Sequence, residues 1–364
     1  MNSSQRIAFV IDALPSLGGG EKVLFTAMEA FPNADLFTLV YNKAEFIHTP
    51  IANREVRTSF IDRIPFAANH HRIFLPLMPF AVSRFDLREY DTIVSFSYAV
   101  AHGARSRNGT RHVSYTFTPM RYAWTGLNLD GTRTRRHWLI DKYLQLFRKW
   151  DRQAASRVHQ FAAISQAVSR RIADAYRREA QVIHPPVELG RFTPAEIREE
   201  YYITVTRLVA HKRVDILVQA FCELKLPLVI VGEGPEIRRL KDMAGPNVRF
   251  LGYQPDERVA ELLGKARAFV CATEEDFGIA IVEAQAAGCP VVAYGRGGAL
   301  ETVVDGETGL FFTEQSPAGL IEAVQKFESR YSDFSTDVIV ENSKRFGKDR
   351  FLTEIRSFIL SQKQ

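Results

Sequence analysis

The sequence predicts an α/β protein made of two doubly wound, mostly parallel sheets. Three observations carry that expectation. Short apolar runs alternate with amphipathic stretches along the chain; glycine-bearing turns stand between several runs and the helical stretches that follow; and a proline-rich interruption, "VIHPPVELGRFTP" (182–194), splits the alternation into two series.

In the first series, "RIAFVI" (6–11) is a short apolar run, and "GGGEKVLFTAMEAF" reads as a glycine turn opening a helix. Further strands are expected at "ADLFTLV" (34–40), "DTIVSFS" (91–97), "HVSYTFT" (112–118) and "QFAAI" (160–164). Ser165 stands where an N-cap belongs, before the helix "QAVSRRIADAYRR". Pro185, Pro186 and Pro194 oppose both helix and ladder, so residues 186–200 are expected to link a first domain, 1–185, to a second, 201–340. The second series starts at strand "YYITVT", and the helix after it carries Val214, Leu217, Val218 and Phe221 on one face. Then come "LPLVIVGEGP", helix "PEIRRLKDMA", strand "VRFLG", helix "DERVAELLGKA", strand "AFVCAT" and strand "PVVAY". Phe351, Ile355 and Phe358 mark an amphipathic helix in the last segment, 341–364.

Composition narrows the class. The 364 residues are 46% hydrophobic and 24% charged, as in ordinary globular proteins. Cys222, Cys271 and Cys289 are too few for a disulfide framework and suit a reducing cytoplasm. No His or Cys pair has metal-ligand spacing, and His70-His71 is a lone doublet. The opening apolar run is too short for a signal peptide, and "IFLPLMPFAV" (73–82) is too short to span a bilayer. Charge is uneven. Residues 1–192 hold 26 Lys+Arg against 16 Asp+Glu, net +10, and the rest 21 against 26, net −5. The basic half is expected to meet something anionic: a phosphate-bearing acceptor, a membrane surface or nucleic acid. No nucleic-acid motif is present, so nucleic acid is not expected as a partner.

The chemistry concentrates in "EEDFGIAIVEAQAAG" (274–288). After strand "AFVCAT", the loop reads as a strand-to-helix turn with the helix starting near Gly278. Amides of Phe277, Gly278 and Ile279 would point out of that helix end and attract an anion. Glu283 lies one turn beyond Ile279 on the same face, where it can accept hydrogen bonds from a vicinal diol such as ribose; Glu275 precedes the turn and can meet sugar hydroxyls. Alone, two glutamates at this spacing read most simply as solvated charges. Arg207 and Lys212 follow "YYITVT" and supply a fork and a point charge suited to a diphosphate.

Taken together, these blocks resemble the family 4 retaining glycosyltransferases of the GT-B fold. The resemblance rests on residues 274–312, on "TRLVAHKRVDILVQAF" (206–221), "VGEGPE" (231–236) and "VIHPPVELGRFTP". More loosely, "GGGEK", "SFSYAVAHG" and "YTFTPMRYAW" are similar to the branch that builds bacterial surface polysaccharides, many of whose members resemble GDP-mannose-dependent mannosyltransferases.

The resemblance implies two Rossmann-like domains facing across a cleft, with the last helix returning to the first domain. It implies a nucleotide-sugar donor held by Gly19, Gly20, Arg207, Lys212, Gly232, Glu275, Phe277, Gly278, Ile279 and Glu283, and no metal or other cofactor. Arg207 and Lys212 would stabilise the departing diphosphate, with Glu275 and His102 at the reacting sugar. Tyr98, His102, Thr118 and Arg121 would bind the acceptor, a glycan carried on a polyprenyl diphosphate at the inner face of the plasma membrane. Arg213 departs from the family, which usually has Gly after this lysine. A UDP-hexose or UDP-N-acetylhexosamine donor, a sugar-nucleotide epimerase and a non-catalytic glycan-binding subunit remain open. The stretch 133–153 mixes basic residues with Trp138, Tyr143, Leu146, Phe147 and Trp150, the pattern of a helix lying on an anionic bilayer.

Overall fold

The computed structural model describes residues 5–105, 109–124 and 138–361. Two compact units divide at His184/Pro185, and the chain from Phe351 onward returns to the first.

The first unit holds a parallel sheet of β1 (Ile7–Ile11), β2 (Asp35–Thr38), β3 (Val56–Thr58), β4 (Thr92–Ser97), β5 (Arg111–Thr116), β6 (Gln160–Ala163) and β7 (Ala180–Val182), ordered 3-2-1-4-5-6-7. Its helices are α1 (Gly19–Ala30), α2 (Met78–Val82), α3 (Arg121–Trp124), α4 (Trp138–Ala155) and α5 (Gln166–Tyr176). β1 and β4 are buried along their whole length, as expected for central strands covered on both faces. Ser165 caps α5, its Oγ accepting from the Val168 N–H at 3.1 Å.

The second unit repeats the plan with β8 (Tyr202–Val205), β9 (Leu228–Val231), β10 (Val248–Gly252), β11 (Ala268–Cys271), β12 (Val291–Tyr294) and β13 (Gly309–Phe312), all parallel and ordered 10-9-8-11-12-13. Its helices are α6 (Val214–Leu224), α7 (Ile237–Met243), α8 (Asp256–Lys265), α9 (Ile279–Ala286), α10 (Ala299–Thr302), α11 (Pro317–Ser329) and α12 (Thr336–Lys344). The predicted face of α6 is buried: Val214, Leu217, Val218 and Phe221 enter one cluster with Tyr202, Val270 and Phe327.

Two expectations change. Residues 186–200 are not a free linker but part of the second unit. The Val187 N–H donates to Phe346 O at 2.9 Å, and the Arg198 guanidinium spans the carbonyls of Gly264, Ala266 and Gly288. The segment 341–364 is not one helix either. Most of its first part belongs to α12, and α13 (Lys348–Leu360) follows. From Phe351 onward α13 packs on the first unit, with Phe351 edge-on to Tyr115 at 5.8 Å and Arg356 reaching Ala30 O at 3.2 Å.

Candidate functional site

Each sheet reverses its winding beside its first strand, between β1 and β4 and between β8 and β11. Ligands of doubly wound sheets collect at such switch points, beyond the carboxyl ends of the strands. In the second unit, the loops after β8, β9, β11 and β12 converge there.

Glycines let these loops come close. At Gly232, φ is +126° and a Cβ would lie 2.0 Å from Thr206 O, so a larger residue would push the β8 loop away. The turn after β11 is clamped by the loop after β12. The Gly298 N–H donates to Glu275 O at 2.8 Å, and a Cβ on Gly297 (φ +63°) would lie 2.2 Å from that oxygen. Side chains complete the tie: Thr273 Oγ1 donates to His211 O at 2.8 Å, and Gln315 Nε2 to Ala272 O at 2.8 Å.

On this frame Lys212 Nζ sits 2.6 and 2.8 Å from the two Glu275 oxygens, with both side chains largely shielded. Lys212 and Glu275 are thus adjacent, each neutralising the other. Arg207 is exposed, and among the described residues its guanidinium has no hydrogen-bond or ion-pair partner. Arg213 takes the left-handed conformation at φ +52°, which costs a non-glycine residue roughly 1–2 kcal/mol. Its guanidinium brackets Asp215 at 3.1 and 3.3 Å and lies 3.5 Å from Gln315.

α9 begins at Ile279, one residue later than expected, because Gly278 is its N-cap at φ +91°. Among the described residues, the Gly278 and Ile279 N–H groups make no hydrogen bond. These amides and the helix dipole present partial positive charge beside Lys212's partner, Glu275. Phe277 is buried edge-on to Phe346 at 5.4 Å and anchors the turn rather than facing solvent. Glu283 is half-buried one turn into α9. The Cys271 thiol is pushed up to about 12 by burial, then by Glu275, so it stays protonated.

In the first unit, Gly19 and Gly20 open α1, Tyr98 and His102 follow β4, and Thr118 and Arg121 follow β5, so all six stand at the carboxyl edge of that sheet. Here Asp12, at the end of β1, fills the switch point. Its Oδ2 accepts the N–H groups of Tyr98 and Ala99 at 2.6 and 3.0 Å, and its Oδ1 those of Val100 and Ala101 at 2.5 and 2.7 Å.

His102 is only 2% exposed. Its Nδ1 lies 3.0 Å from Ser97 Oγ. Its Nε2 lies 2.9 Å from Asp151 Oδ1, at ion-pair distance without hydrogen-bond alignment. Trp124 Nε1 donates to the other Asp151 oxygen at 2.7 Å. His102 is therefore part of an internal polar cluster, and it reaches a sugar only if that cluster opens. Tyr98 is half-buried, and Thr118 is buried.

The interfacial face expected on α4 is largely used in the core: Phe147 is buried, and Tyr143 and Trp150 pack against the same cluster. Trp138 and Leu146 do stay exposed, as do Leu139 and Ile140. Arg133, Arg135 and Arg136 lie outside the described residues. Among the described residues no helix is long and apolar enough to cross a membrane, and no three His, Cys, Asp or Glu side chains are grouped to hold a metal ion.

Sequence reasoning missed Asp12, Gln315, Gly297 and Gly298. An acid directly after the buried run of β1 was the available signal for Asp12. Nothing local marks Gln315, which acts from 43 residues beyond Ala272, whose carbonyl it holds.

Residues 191–346 match the family model of the glycosyl transferases group 1. The chain is 35% identical over 194 residues, 43% of its length and 51% of the relative's, to the GDP-mannose-dependent alpha-(1-6)-phosphatidylinositol monomannoside mannosyltransferase of Mycolicibacterium smegmatis. It is 28% identical over 278 residues, 65% of its length and 61% of the relative's, to D-inositol 3-phosphate glycosyltransferase 2 of Catenulispora acidiphila. It thus spans about half the length of the mannosyltransferase. Anabaena Alr3699/HepE in complex with UDP and glucose shares the fold at 17% identity, with a TM-score of 0.72 over 97% of this chain and 99% of that one.

Proposed function

We infer, from the premise that this chain belongs through residues 191–346 to the group 1 glycosyltransferases, that it is a retaining, metal-independent hexosyltransferase. Its donor is GDP-mannose and its acceptor a lipid-linked glycan of bacterial surface polysaccharide biosynthesis, met at the inner face of the plasma membrane. One observation carries the reading: at the second unit's switch point, Lys212 and Glu275 stand beside a helix start whose Gly278 and Ile279 N–H groups make no hydrogen bond among the described residues.

A nucleoside diphosphate takes up those groups as a set. The Ile279 and Gly278 amides and Lys212 receive the phosphates, and Arg207 adds a mobile fork from the edge. Glu283 accepts from the ribose hydroxyls. Glu275, released from Lys212 by the competing phosphate, accepts from hydroxyls of the transferred sugar. In the transfer step the bond from the anomeric carbon to the diphosphate breaks as the acceptor oxygen bonds to the same face. The acceptor proton passes to the departing phosphate oxygen. Charge growing on that diphosphate is stabilised by Lys212, Arg207 and the amides, preorganised by the ties of Thr273, Gln315 and Gly298. The mannosyl assignment is supported by the similarity to the GDP-mannose-dependent mannosyltransferase of Mycolicibacterium smegmatis.

The test incubates the purified chain with GDP-mannose, UDP-glucose and UDP-N-acetylglucosamine, each with and without polyprenyl-diphosphate-linked acceptors, and reads products by mass spectrometry and anomeric configuration by NMR. α-Mannosylated product only with GDP-mannose plus acceptor is expected, undiminished by EDTA. Product from a UDP-sugar alone overturns the donor assignment. Interconverted free donor without acceptor indicates an epimerase.

A further inference from the structure

The connection between β3 and β4 has two apolar sides. Ile61, Ala67, Leu75, Met78 and Val82 point into the first unit's core. Phe60, Phe66, Ile73, Leu77 and Phe80 point the other way and are exposed, Phe66 by 76% and Ile73 by 72%. A soluble chain normally covers so many large apolar side chains or replaces them. Phe60 and Phe80 meet edge-on at 5.9 Å, and Leu77 stands one turn before Phe80 at the start of α2. The Tyr143 hydroxyl donates to Leu75 O at 3.3 Å and ties this segment to α4, whose first turn carries exposed Trp138, Leu139 and Ile140. Phe66 also holds φ +62°, a conformation bulky residues rarely adopt, with its ring outside the core.

Within residues 60–84 the exposed charges are all positive, while the first turn of α4 carries one exposed acid, Asp141. Arg63, Arg72 and Arg84 are exposed within residues 60–84, and the Arg84 guanidinium lies 4.6 Å from the Phe80 ring centroid. The only carboxylate of the stretch, Asp62, turns inward to accept the Tyr41 N–H at 2.8 Å. Exposed rings and aliphatics fringed by arginines, on the net-basic half of the chain, complement an anionic lipid interface: the apolar groups enter the acyl boundary and the guanidiniums meet headgroup phosphates. A nucleic acid would leave the apolar side chains without a partner, and a second copy of the chain would bring arginine against arginine.

We propose that residues 60–84, with the exposed first turn of α4, form a docking surface for anionic phospholipid bilayers. The proposal moves the interface from the α4 face expected from sequence, where Phe147 is buried and Tyr143 and Trp150 pack against the core. It stands apart from the donor-site reading, because its test needs no glycosyl transfer.

The test is co-sedimentation of the full chain with vesicles of phosphatidylglycerol and phosphatidylethanolamine, or of phosphatidylcholine alone. Binding to the anionic vesicles, weakened by salt and absent with phosphatidylcholine, is expected. The combined Phe66→Ser, Ile73→Ser and Phe80→Ser variant should bind at least about tenfold more weakly. So should a Arg63→Glu, Arg84→Glu variant. A thermal melt checks that each variant folds. Should the triple variant fail that check, hydrogen exchange on the unaltered protein decides, because vesicles should protect residues 60–84. Absence of binding to anionic vesicles overturns the proposal, as does undiminished binding by the folded variants. Protection elsewhere, or a dimer in light scattering that the serine variant abolishes, also overturns it, the latter by making the face a contact between copies.

Discussion

The two units solve one topological problem in opposite ways. Both sheets wind outward from a switch point, and at both a strand end faces a cluster of loop amides. In the first unit, Asp12 absorbs four N–H groups of residues 98–101, so the amide cluster is filled by the protein's own carboxylate. In the second, the corresponding strand ends at Val205, no acid follows, and the facing loop leads into α9, whose first amides make no hydrogen bond among the described residues, with Lys212 paired to Glu275 in that loop. The same architecture thus provides one sealed and one receptive crevice, and a single residue type at a strand end separates them. Fold alone does not locate a binding site; what fills the amides does.

The largest effect expected from breaking this contrast falls on the receptive side. Lys212→Ala should reduce transfer by about two to three orders of magnitude, the scale for losing a charge contact to a developing anion. Steady-state kinetics with the preferred donor checks it, alongside an unchanged melting curve. On the sealed side, Asp12→Ala leaves four buried donors unpaired and should cost roughly 3 kcal/mol of stability, read by urea unfolding. Asp12→Asn, which keeps one acceptor oxygen, should fall between.

Acid should separate the units further. His112 is buried against Ser95, and burial, then His102 and His159, lower its pKa to about 3. Between an unfolded value of about 6.5 and this folded value, the unfolded chain binds a proton that the folded chain refuses. Its contribution is therefore present above pH 6.5 and lost as pH falls, by roughly 2 kcal/mol at pH 5. In the second unit, burial alone would raise Glu328, but Arg267 and Tyr202 outweigh it and hold it below the usual range. That contribution is lost only as pH falls below about 4.3. Hydrogen exchange at pH 5 should show the first unit opening first, and His112→Gln should flatten its pH dependence.

A smaller effect tests the pairing itself. Glu275→Gln removes the negative charge of Lys212's partner, so a nucleoside diphosphate should bind several-fold more tightly by calorimetry even as transfer falls. Weaker binding would mean that Glu275 holds Lys212 in place for the ligand rather than competing with it. Smallest of all, Arg213→Gly relieves the left-handed strain but loses the Asp215 pair, and should shift stability by less than about 1 kcal/mol.

What the sequence made legible follows from how local each signal is. Central strands such as β1 and β4 announce themselves by continuous apolar runs, and the α6 face by its spacing. The short edge strands β3 and β7 carry mixed, partly exposed residues and give no such run. Glu275 and Gly278 share one local turn, so their closeness is legible, whereas Lys212 reaches Glu275 from the loop after β8, 63 residues away. The resemblance places His102 at the reacting sugar, whereas in the structure it is buried beside Asp151, a residue distant in sequence. The prolines at 185–194 marked a true break in the alternation, yet Arg198 ties that stretch to three carbonyls far along the chain. Long-range side-chain ties of this kind leave no local pattern.

The most direct measurement is a crystal structure of the chain with GDP bound. The diphosphate should lie within hydrogen-bond distance of the Ile279 N–H and of Lys212 Nζ, with Glu275 parted from the lysine. A diphosphate bound elsewhere, or a Lys212–Glu275 pair still closed beneath it, would contradict the proposed donor site.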